Sequence, residues 1–193
     1  MSNGIKVKKR NGRGTEALNL EKMHKMVEDA TTGLAGVSAS QVEIQSGIQF
    51  YDGITTAEIQ EILIKSASDL IDLDNPNYQF VAARLLLFSI RKSLYGRSRD
   101  MPLLEDHIVT CVTKEVYDAD IYSKYSKEDI EKANGYIDHH RDFLFTYAGL
   151  RQVVDKYLVQ DRSTGNVYET PQFMYMMIAL TIFSEYPKET RLN

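Results

Sequence analysis

Apolar and polar residues alternate at the start of the chain, a pattern that predicts a β-hairpin. Ile5–Lys8 is predicted to form one strand, Asn11–Gly14 is rich in turn-forming residues, and Glu16–Leu18 is predicted to form the second, returning strand. Asn19 is then placed to cap a helix over about 20–32, where apolar residues recur at three- and four-residue spacing. The chain is therefore expected to open with a hairpin that leads directly into a helix.

Three further helices are predicted before the first linker. Ser38-x-x-Gln41 and Thr55-x-x-Glu58 both have the spacing of a capping box, in which two side chains satisfy free backbone groups at a helix start. A long apolar helix is predicted over 78–95. A small hairpin with four helices indicates a mainly α fold of the α+β class.

Gly96–Pro102 has the composition of a linker, so we predict two domains, 1–96 and 97–193. The second is predicted to be helical over about 103–114, 119–133 in two pieces, 138–156 and 171–185, with one hairpin over 157–169 and the start of another helix over 187–193. Thr170 is expected to cap the helix that begins at Pro171, where the missing proline N–H costs nothing.

The most apolar stretch of the chain runs from Phe173 to Phe183. It is shorter than the roughly 18 to 20 residues that a membrane span requires. Helices that are apolar all round are usually buried, so Tyr175, Met176, Met177 and Ile178 are predicted to be core. The alternative is a surface that a partner covers.

Composition and charge narrow the possible functions. Hydrophobic residues make up 43% of the chain and charged residues 26%, as in globular proteins, which excludes wholesale disorder. The net charge of -4 argues against a dedicated nucleic-acid binder. The N-terminus lacks the apolar stretch of a signal peptide, so the predicted location is cytoplasmic.

The chain has a single cysteine, Cys111. One cysteine excludes an intrachain disulfide, a CxxC redox pair and a thiolate-rich zinc site. Its apolar neighbours predict that it is buried as a small hydrophobic residue. The four histidines have none of the spacings of helical metal sites, so no metal ligand is predicted. No catalytic residue and no redox cofactor are predicted for this chain either.

Cations on the hairpin and near the end of the fourth helix are candidate phosphate ligands. Lys9 and Arg10 precede the predicted turn, and Lys92 lies late in the helix. A triphosphate needs several cations together with helix N-terminal amides. The polar and apolar groups that a nucleoside needs are offered by Asn19, Thr56 and Phe88. From the residues alone, the alternative remains open that Lys9 and Arg10 lie on a solvated strand and Lys92 on a helix surface, without a bound ligand.

Ordered motifs along the chain resemble one known family. The first part contains Val7-x-Lys9-Arg10-x-Gly12, Glu16-x-x-Asn19-Leu20-x-Lys22, Phe50-Tyr51-Asp52-Gly53-Ile54-x-Thr56 and Tyr78-Gln79-x-x-Ala82-Ala83-Arg84-Leu85. The second part contains Asp138-x-x-Arg141-Asp142, Lys156-Tyr157-Leu158-Val159, Thr164-Gly165-x-x-Tyr168-Glu169 and Pro187-x-Glu189-Thr190-Arg191-Leu192. Together they resemble the N-terminal region of class Ia ribonucleotide reductase large subunits, an ATP cone followed by a helical region.

The resemblance implies that the cone binds ATP or dATP, with Mg²⁺, as an allosteric effector. By position it implies nucleotide contacts at Lys9, Glu16, Ala17, Leu18, Asn19, Leu20, Glu21, Lys22, Thr56 and Lys92, with Val7, Arg10, Gln60 and Phe88 nearby. Lys9, Lys22 and Lys92 would take phosphate charge. Glu16 and Asn19 would recognise the base or ribose.

Two departures from the family limit what the resemblance implies. Gln60 and Ser89 stand where many dATP-inhibited members carry histidine, and glutamine cannot carry the charge of histidine, so inhibition by dATP is left open. The family reduces ribonucleoside diphosphates in a ten-stranded barrel with radical and redox cysteines, whereas this chain has only Cys111. The chain is therefore expected to be an N-terminal piece that is inactive alone.

The implied partners are the remainder of the large subunit, in the same or a separate chain, and the small radical-generating subunit; neither nucleic acid nor a membrane is implied. The first hypothesis is the allosteric N-terminal part of a thioredoxin- or glutaredoxin-dependent oxidoreductase that makes deoxyribonucleotides for DNA replication. The alternative is a free-standing nucleotide-sensing module that contacts the small subunit through its cone.

Overall fold

The computed structural model describes residues 5–9 and 14–191, without the side chains of residues 188 and 189. The protein is 58% helical with two small sheets and no barrel in the described residues, which confirms the mainly α prediction. No helix in these ranges combines the length and apolar character that crossing a bilayer demands.

The chain packs as two compact units. The first contains residues up to 89 together with 143–151, and the second contains 90–142 together with the residues from 152 onward. The chain therefore passes from one unit to the other three times, between residues 89 and 90, 142 and 143, and 151 and 152. The domain boundary between residues 96 and 97 stays a prediction.

The first unit contains a three-stranded sheet and helices on four segments of the chain. Its elements are β1 Lys6–Lys8, β2 Thr15–Ala17, α1 Leu20–Thr31, α2 Ala39–Gly47, β3 Ile54–Thr55, α3 Thr56–Asp69 and the first part of α4 Tyr78–Tyr95. The predicted strands and all four helices are confirmed, while the turn residues 10–13 lie outside the described part of the chain. β1 also pairs with β3 in parallel, a contact that the sequence analysis did not predict.

Two predicted helix starts are confirmed in detail. The Asn19 Oδ1 atom accepts a hydrogen bond from the Lys22 amide at 2.9 Å. Thr55 and Glu58 make both bonds of the capping box that begins α3. Each of these bonds joins residues three apart, so nothing distant competes for the side chains.

Helix α2 starts after Ser38 as predicted, but the predicted capping box of Ser38 and Gln41 is wrong. Ser38 occupies the N-cap position, but its side chain makes no cap bond. The buried Tyr78 hydroxyl donates instead to the Gln41 side-chain oxygen, and it accepts from the Ser38 amide at 3.0 Å. A buried hydroxyl needs hydrogen-bond partners, and Tyr78 takes those that the cap would have used.

The second unit is built from the end of α4 and, in the described residues, six further α-helices and a 3₁₀ helix, parts of which return to the first unit. Its elements, with the segment that returns to the first unit, are α5 Leu104–Thr113, α6 Ile121–Lys124, α7 Lys127–Asn134, a 3₁₀ helix His139–Leu144, α8 Tyr147–Lys156, β4 Gln160–Asp161, β5 Asn166–Val167, α9 Pro171–Ile182 and α10 Lys188–Arg191. The helix predicted over 138–156 is therefore two helices. The Thr146 hydroxyl accepts from the Gly149 amide at 3.2 Å, which begins α8 afresh.

The prediction that Thr170 caps α9 is also wrong. Thr170 has N-cap backbone geometry and Pro171 occupies the first turn, as predicted, but the Thr170 side chain makes no cap bond. That side chain is fully buried and does not bond the first-turn amides.

The core of the second unit lies where α9 meets α5, α6 and α7. Its buried members are Leu104, Ile108, Ile121, Tyr125, Ile130, Ala133, Phe173 and Leu180. Cys111 is buried, as predicted. Met176 and Met177 pack against this core, but Tyr175 and Ile178 are 47% and 48% exposed, so the core prediction is wrong for those two.

Candidate functional site

Strand pairing puts Lys9 on the inner face of the first sheet. Val7 lies opposite Glu16 on one side and Ile54 on the other, so the three share a face, and Val7 and Ile54 are buried. Lys9 follows Val7 by two residues and therefore points the same way. The Lys9 Nζ atom lies 2.9 Å from Glu16 Oε2. The face that carries Val7 and Ile54, here called the inner face, thus has a solvent-exposed ion pair, with side chains 43% and 49% exposed, beside its buried apolar residues.

Parallel pairing of β1 and β3 places the start of α3 near Lys9. The Gly53 amide donates to the Lys6 carbonyl at 2.8 Å, with Gly53 at φ +85°, a conformation that favours glycine. β3 then runs directly into α3, of which Thr56 is the first residue. Because β1 and β3 run the same way, Thr56 and Lys9 lie at the same end of the sheet.

The start of α1 lies at the other end of the sheet. β2 is antiparallel to β1 and leads into α1, and the Leu18 amide donates to the Ile5 carbonyl at 2.8 Å. Glu21 and Lys22 are exposed in the first turn of α1. A three-residue strand spans roughly 10 Å, so the N-terminal amides of two helices flank one short sheet, within the reach of a single nucleotide.

Leu18 and Leu20 line an apolar cavity of about 420 Å³ between the hairpin, α1 and α2. His24 and Glu43 also line it, with His24 Nδ1 2.8 Å from Glu43 Oε1, a contact that raises the pKa of His24. Ala17, the last residue of β2, is exposed. The cavity is an apolar wall of the kind that ligand sites use.

Gln60 and Ser89, the two departures from the family pattern, are hydrogen-bonded to each other. The Ser89 hydroxyl donates to Gln60 Oε1 at 3.2 Å, and Gln60 Nε2 lies 4.0 Å from Met26 Sδ. Gln60 is 5% exposed. A neutral amide thus joins α1, α3 and α4 in the middle of the first unit.

Phe88 and Lys92 occupy successive turns of α4. Phe88 is buried and meets the Phe143 ring edge-to-face, with 5.9 Å between ring centroids. Lys92 is exposed and lies four residues later, hence on the same face of the helix. Lys92 packs as part of the second unit. Arg10, another predicted contact, lies outside the described residues.

The sequence analysis missed a cluster that anchors the start of α3. The Tyr51 hydroxyl donates to Glu58 Oε1 at 2.8 Å, and the Thr55 amide and hydroxyl donate to Glu58 Oε2. These bonds lower the pKa of Glu58 and keep it ionised. The capping-box spacing identified Thr55 and Glu58, whereas no local signal identified Tyr51.

Arg84, which the sequence analysis left without a role, anchors the end of α1. Its Nη1 atom donates to the Ala30 carbonyl at 3.1 Å and to the Thr32 carbonyl at 2.7 Å. A cation at the C-terminus of a helix satisfies free carbonyls and the helix dipole together. α4 is thereby fastened to the helix that carries Asn19 and Lys22.

Comparisons with known proteins match both parts of the chain. Residues 5–93 match the ATP cone domain, and residues 143–192 match the all-alpha domain of ribonucleotide reductase. The whole chain is 47% identical to the ribonucleoside-diphosphate reductase subunit alpha of Haemophilus influenzae and to the corresponding subunit 1 alpha of Escherichia coli, covering 25% of each. It is 41% identical over 165 residues (84% of the chain) to the subunit alpha of Enterobacteria phage T4, covering 22% of it. The chain therefore spans about a quarter of the length of these relatives, the N-terminal quarter.

Proposed function

Since the chain is an ATP cone followed by all-alpha sequence of the ribonucleotide reductase alpha-subunit family, we propose that its first unit binds ATP or dATP to regulate that enzyme. The ATP cone is a nucleotide-binding allosteric domain, so the chain carries an allosteric region. The regulated reaction is the reduction of ribonucleoside diphosphates to deoxyribonucleotides.

One observation carries the proposal, the position of the Lys9–Glu16 ion pair. It lies on the inner face of a sheet whose two ends are flanked by the N-termini of α1 and α3. This arrangement suits a nucleotide, which is an extended anion with a polar base at one end. Backbone amides and lysine bind phosphates, and a carboxylate accepts hydrogen bonds from the donors of the base or ribose. Nucleotide binding would then separate Lys9 from Glu16 and give each its own ligand group.

The roles of the other residues follow from their ends of the sheet. Lys9 and Thr56 would hold phosphate at one end, and the resemblance alone adds Lys92 as a further phosphate contact. Asn19 and Lys22 would contact the nucleotide at the other end, beside the cavity lined by Leu18 and Leu20. Mg²⁺ would accompany the triphosphate, whose oxygens supply the ligands that Mg²⁺ prefers.

The chain's own residues supply no redox chemistry in this proposal. Burial raises the pKa of the Cys111 thiol to about 11, and an inert thiol of this kind is structural. We therefore propose that the reaction takes place in the remainder of the large subunit, with the small radical-generating subunit as a second partner. The isolated chain is expected not to reduce a ribonucleoside diphosphate, even with that small subunit, ATP and dithiothreitol present.

Calorimetric titration of the purified chain with ATP and Mg²⁺, and then with dATP, tests nucleotide binding. We expect saturable binding that weakens at least tenfold in Lys9→Ala and in Lys92→Ala, because each loses a charge-assisted bond to phosphate. Lys65→Ala is the matched control, since Lys65 pairs with Asp69 at 2.6 Å on the exposed face of α3. A folded chain that shows no heat of binding, or equal weakening in all three variants, contradicts the proposal.

The neutral Gln60–Ser89 pair predicts how the nucleotide response depends on pH. In Gln60→His, burial by itself keeps the imidazole neutral, whereas a neighbouring dATP phosphate would favour its charged form as the pH falls from 8 to 6, so dATP should bind several-fold more tightly relative to the unaltered chain at pH 6 than at pH 8. Gln49→His, on an exposed residue, controls for histidine in general. An affinity ratio that stays constant with pH would place Gln60 away from the phosphates.

A further inference from the structure

α9 exposes an apolar face to solvent although the opposite face is core. Tyr175, Ile178 and Ile182 are 47%, 48% and 62% exposed, and their spacing of three and four residues places them on one side of the helix. We call these three residues the open face of α9. No residue from Pro171 to Ile182 carries a charge, so the solvated side of this helix lacks the polar pattern of an ordinary surface helix.

A groove extends the open face of α9. It has a volume of about 500 Å³, and its apolar walls include Val116, Tyr157, Val159, Met177, Ile178 and Ile182. Tyr157 is 62% exposed and Val159 is 38% exposed, so apolar side chains from two separate segments reach solvent together. Contiguous apolar surface of this kind marks an interaction site, whereas isolated exposed apolar residues are normal.

The end of the described chain is held beside this groove. The Arg191 Nη2 atom donates to the Lys124 carbonyl at 2.6 Å, and the guanidinium lies 4.3 Å from the centre of the Tyr125 ring. Lys124 is itself part of the groove wall. In the relatives, about three quarters of the polypeptide lies outside the matched region, which is their N-terminal quarter. Arg191 lines a second pocket with Ala179 and Phe183, and this pocket shares Leu180 with the groove, so polypeptide that continues beyond Arg191 in such a subunit starts on the side of α9 that adjoins the open face.

We propose that the open face of α9 and its groove are the docking surface for the part of a reductase alpha subunit that follows this region in the relatives. The occupant presents apolar side chains to the open face, because Tyr175, Ile178 and Ile182 offer it apolar contact, while Asp118, Asp120 and Lys124 in the groove wall can bind polar groups at its edge. This inference rests on the proposed function in one respect only, namely that the occupant is identified as part of a reductase alpha subunit. It deepens that function by naming the surface through which the regulatory region joins the remainder of the subunit.

Thiol labelling tests the proposal, because the native cysteine is buried and gives little background. Ile178→Cys places a reactive thiol on the open face, and Val109→Cys places one on α5 at a residue that is equally exposed, at 49%. Each variant is labelled in the isolated chain and in a full-length protein, where this chain replaces the matched quarter of the Escherichia coli subunit. Labelling is read for each peptide by mass spectrometry.

We expect labelling at residue 178 to slow at least tenfold in the full-length protein, while labelling at residue 109 changes less than about twofold. Equal rates at residue 178 in the two proteins would overturn the proposal. Concentration-dependent protection in the isolated chain would overturn it in favour of a second copy of the chain. If the joined protein does not fold, the Escherichia coli subunit with cysteine at the aligned position supplies the same comparison.

Ile178→Glu separates this inference from the proposed function. ATP titration of the isolated Ile178→Glu chain should match that of the unaltered chain, because none of the proposed nucleotide contacts lies on α9. In the full-length protein the same substitution should lower the midpoint of thermal unfolding, whereas Val109→Glu should not. ATP binding with no protection at residue 178 contradicts only the docking surface, and protection without ATP binding contradicts only the nucleotide site.

Discussion

Asp142→Ala is expected to lower the free energy of unfolding of the second unit by about 3–5 kcal/mol. Asp142 Oδ2 lies 3.1 Å from Arg91 Nη2, and the two side chains are 0% and 5% exposed. The same nitrogen donates to the His139 carbonyl at 2.8 Å. Removing the carboxylate leaves a guanidinium charge buried without its counter-charge, which costs far more than the loss of one bond.

A double variant tests whether the loss of unfolding free energy in Asp142→Ala comes from the Arg91 charge that stays buried. Arg91→Met with Asp142→Leu removes both charges, and it should recover most of the stability that Asp142→Ala loses. Asp69→Ala breaks the exposed pair with Lys65 and should change the unfolding free energy by less than about 1 kcal/mol. Denaturant unfolding of these variants is the measurement. Asp142→Ala within 1 kcal/mol of the unaltered chain would show that Arg91 finds water or another partner.

Lowering the pH from 7 to 5 is expected to cost about 2 kcal/mol of stability through His107 alone. The His107 ring stacks on Phe173 with centroids 4.2 Å apart, and its nitrogens lie 3.3 Å from the Tyr95 hydroxyl and 3.1 Å from the Tyr117 hydroxyl. Burial lowers the pKa of His107 to about 4, against an ordinary value of 6.5. The unfolded chain therefore binds the proton first, so stability is full above about pH 6.5 and is lost as the pH falls towards 4.

Other buried groups of the second unit add to this effect or oppose it. Burial, with the charge of Arg91, lowers the pKa of His139 to about 4, which has the same sign as His107. Burial raises the pKa of Asp142 to about 6 and also raises that of Glu169, so these carboxyl groups favour the folded state as the pH falls. Asp142 offsets only about 1 kcal/mol between pH 7 and 5, so the net change remains a loss.

Unfolding free energies at pH 7 and pH 5 test this account. In His107→Gln the difference between the two pH values should shrink by about 2 kcal/mol, whatever the substitution does to stability at pH 7. His24→Gln is the contrast, because the bond to Glu43 raises the pKa of His24 and gives it the opposite sign. That variant should lose stability at pH 5 rather than at pH 7. An unchanged pH difference in His107→Gln would mean that its charged form is accommodated.

Much of the fold was predictable because the signals are local. The helix predicted over 78–95 is α4, Tyr78–Tyr95, and the Asn19 and Thr55 caps form as their spacing indicates. Repeats of three and four residues and bonds between residues three apart depend only on neighbours along the chain. One prediction failed because a distant side chain competed, since the Tyr78 hydroxyl bonds the Gln41 side chain and the Ser38 amide that the capping box would have joined. Another failed because a local signal was missed, since the Thr146 cap begins a new helix within the one predicted over 138–156.

The residues of the candidate site come from the resemblance and stay predictions, whereas their spatial arrangement came only from the structure. Nothing in the sequence indicated that β3 pairs with β1, which brings Thr56 to the Lys9 end of the sheet. The bond between Gln60 and Ser89 likewise joins residues 29 apart in sequence. Long-range contacts of this kind depend on how whole helices pack, and no short pattern encodes them.

Composition, periodicity and ordered motifs are enough to establish that the chain is mainly helical, that it carries a single cysteine, and that it resembles a reductase N-terminus with an ATP cone. The burial of the Arg91–Asp142 pair and the exposure of Tyr175 and Ile178 became known only from the packing of the folded chain. An apolar helix has the same sequence pattern whether one of its faces or both are covered. Burial is a property of what packs around a residue, not of the residue itself.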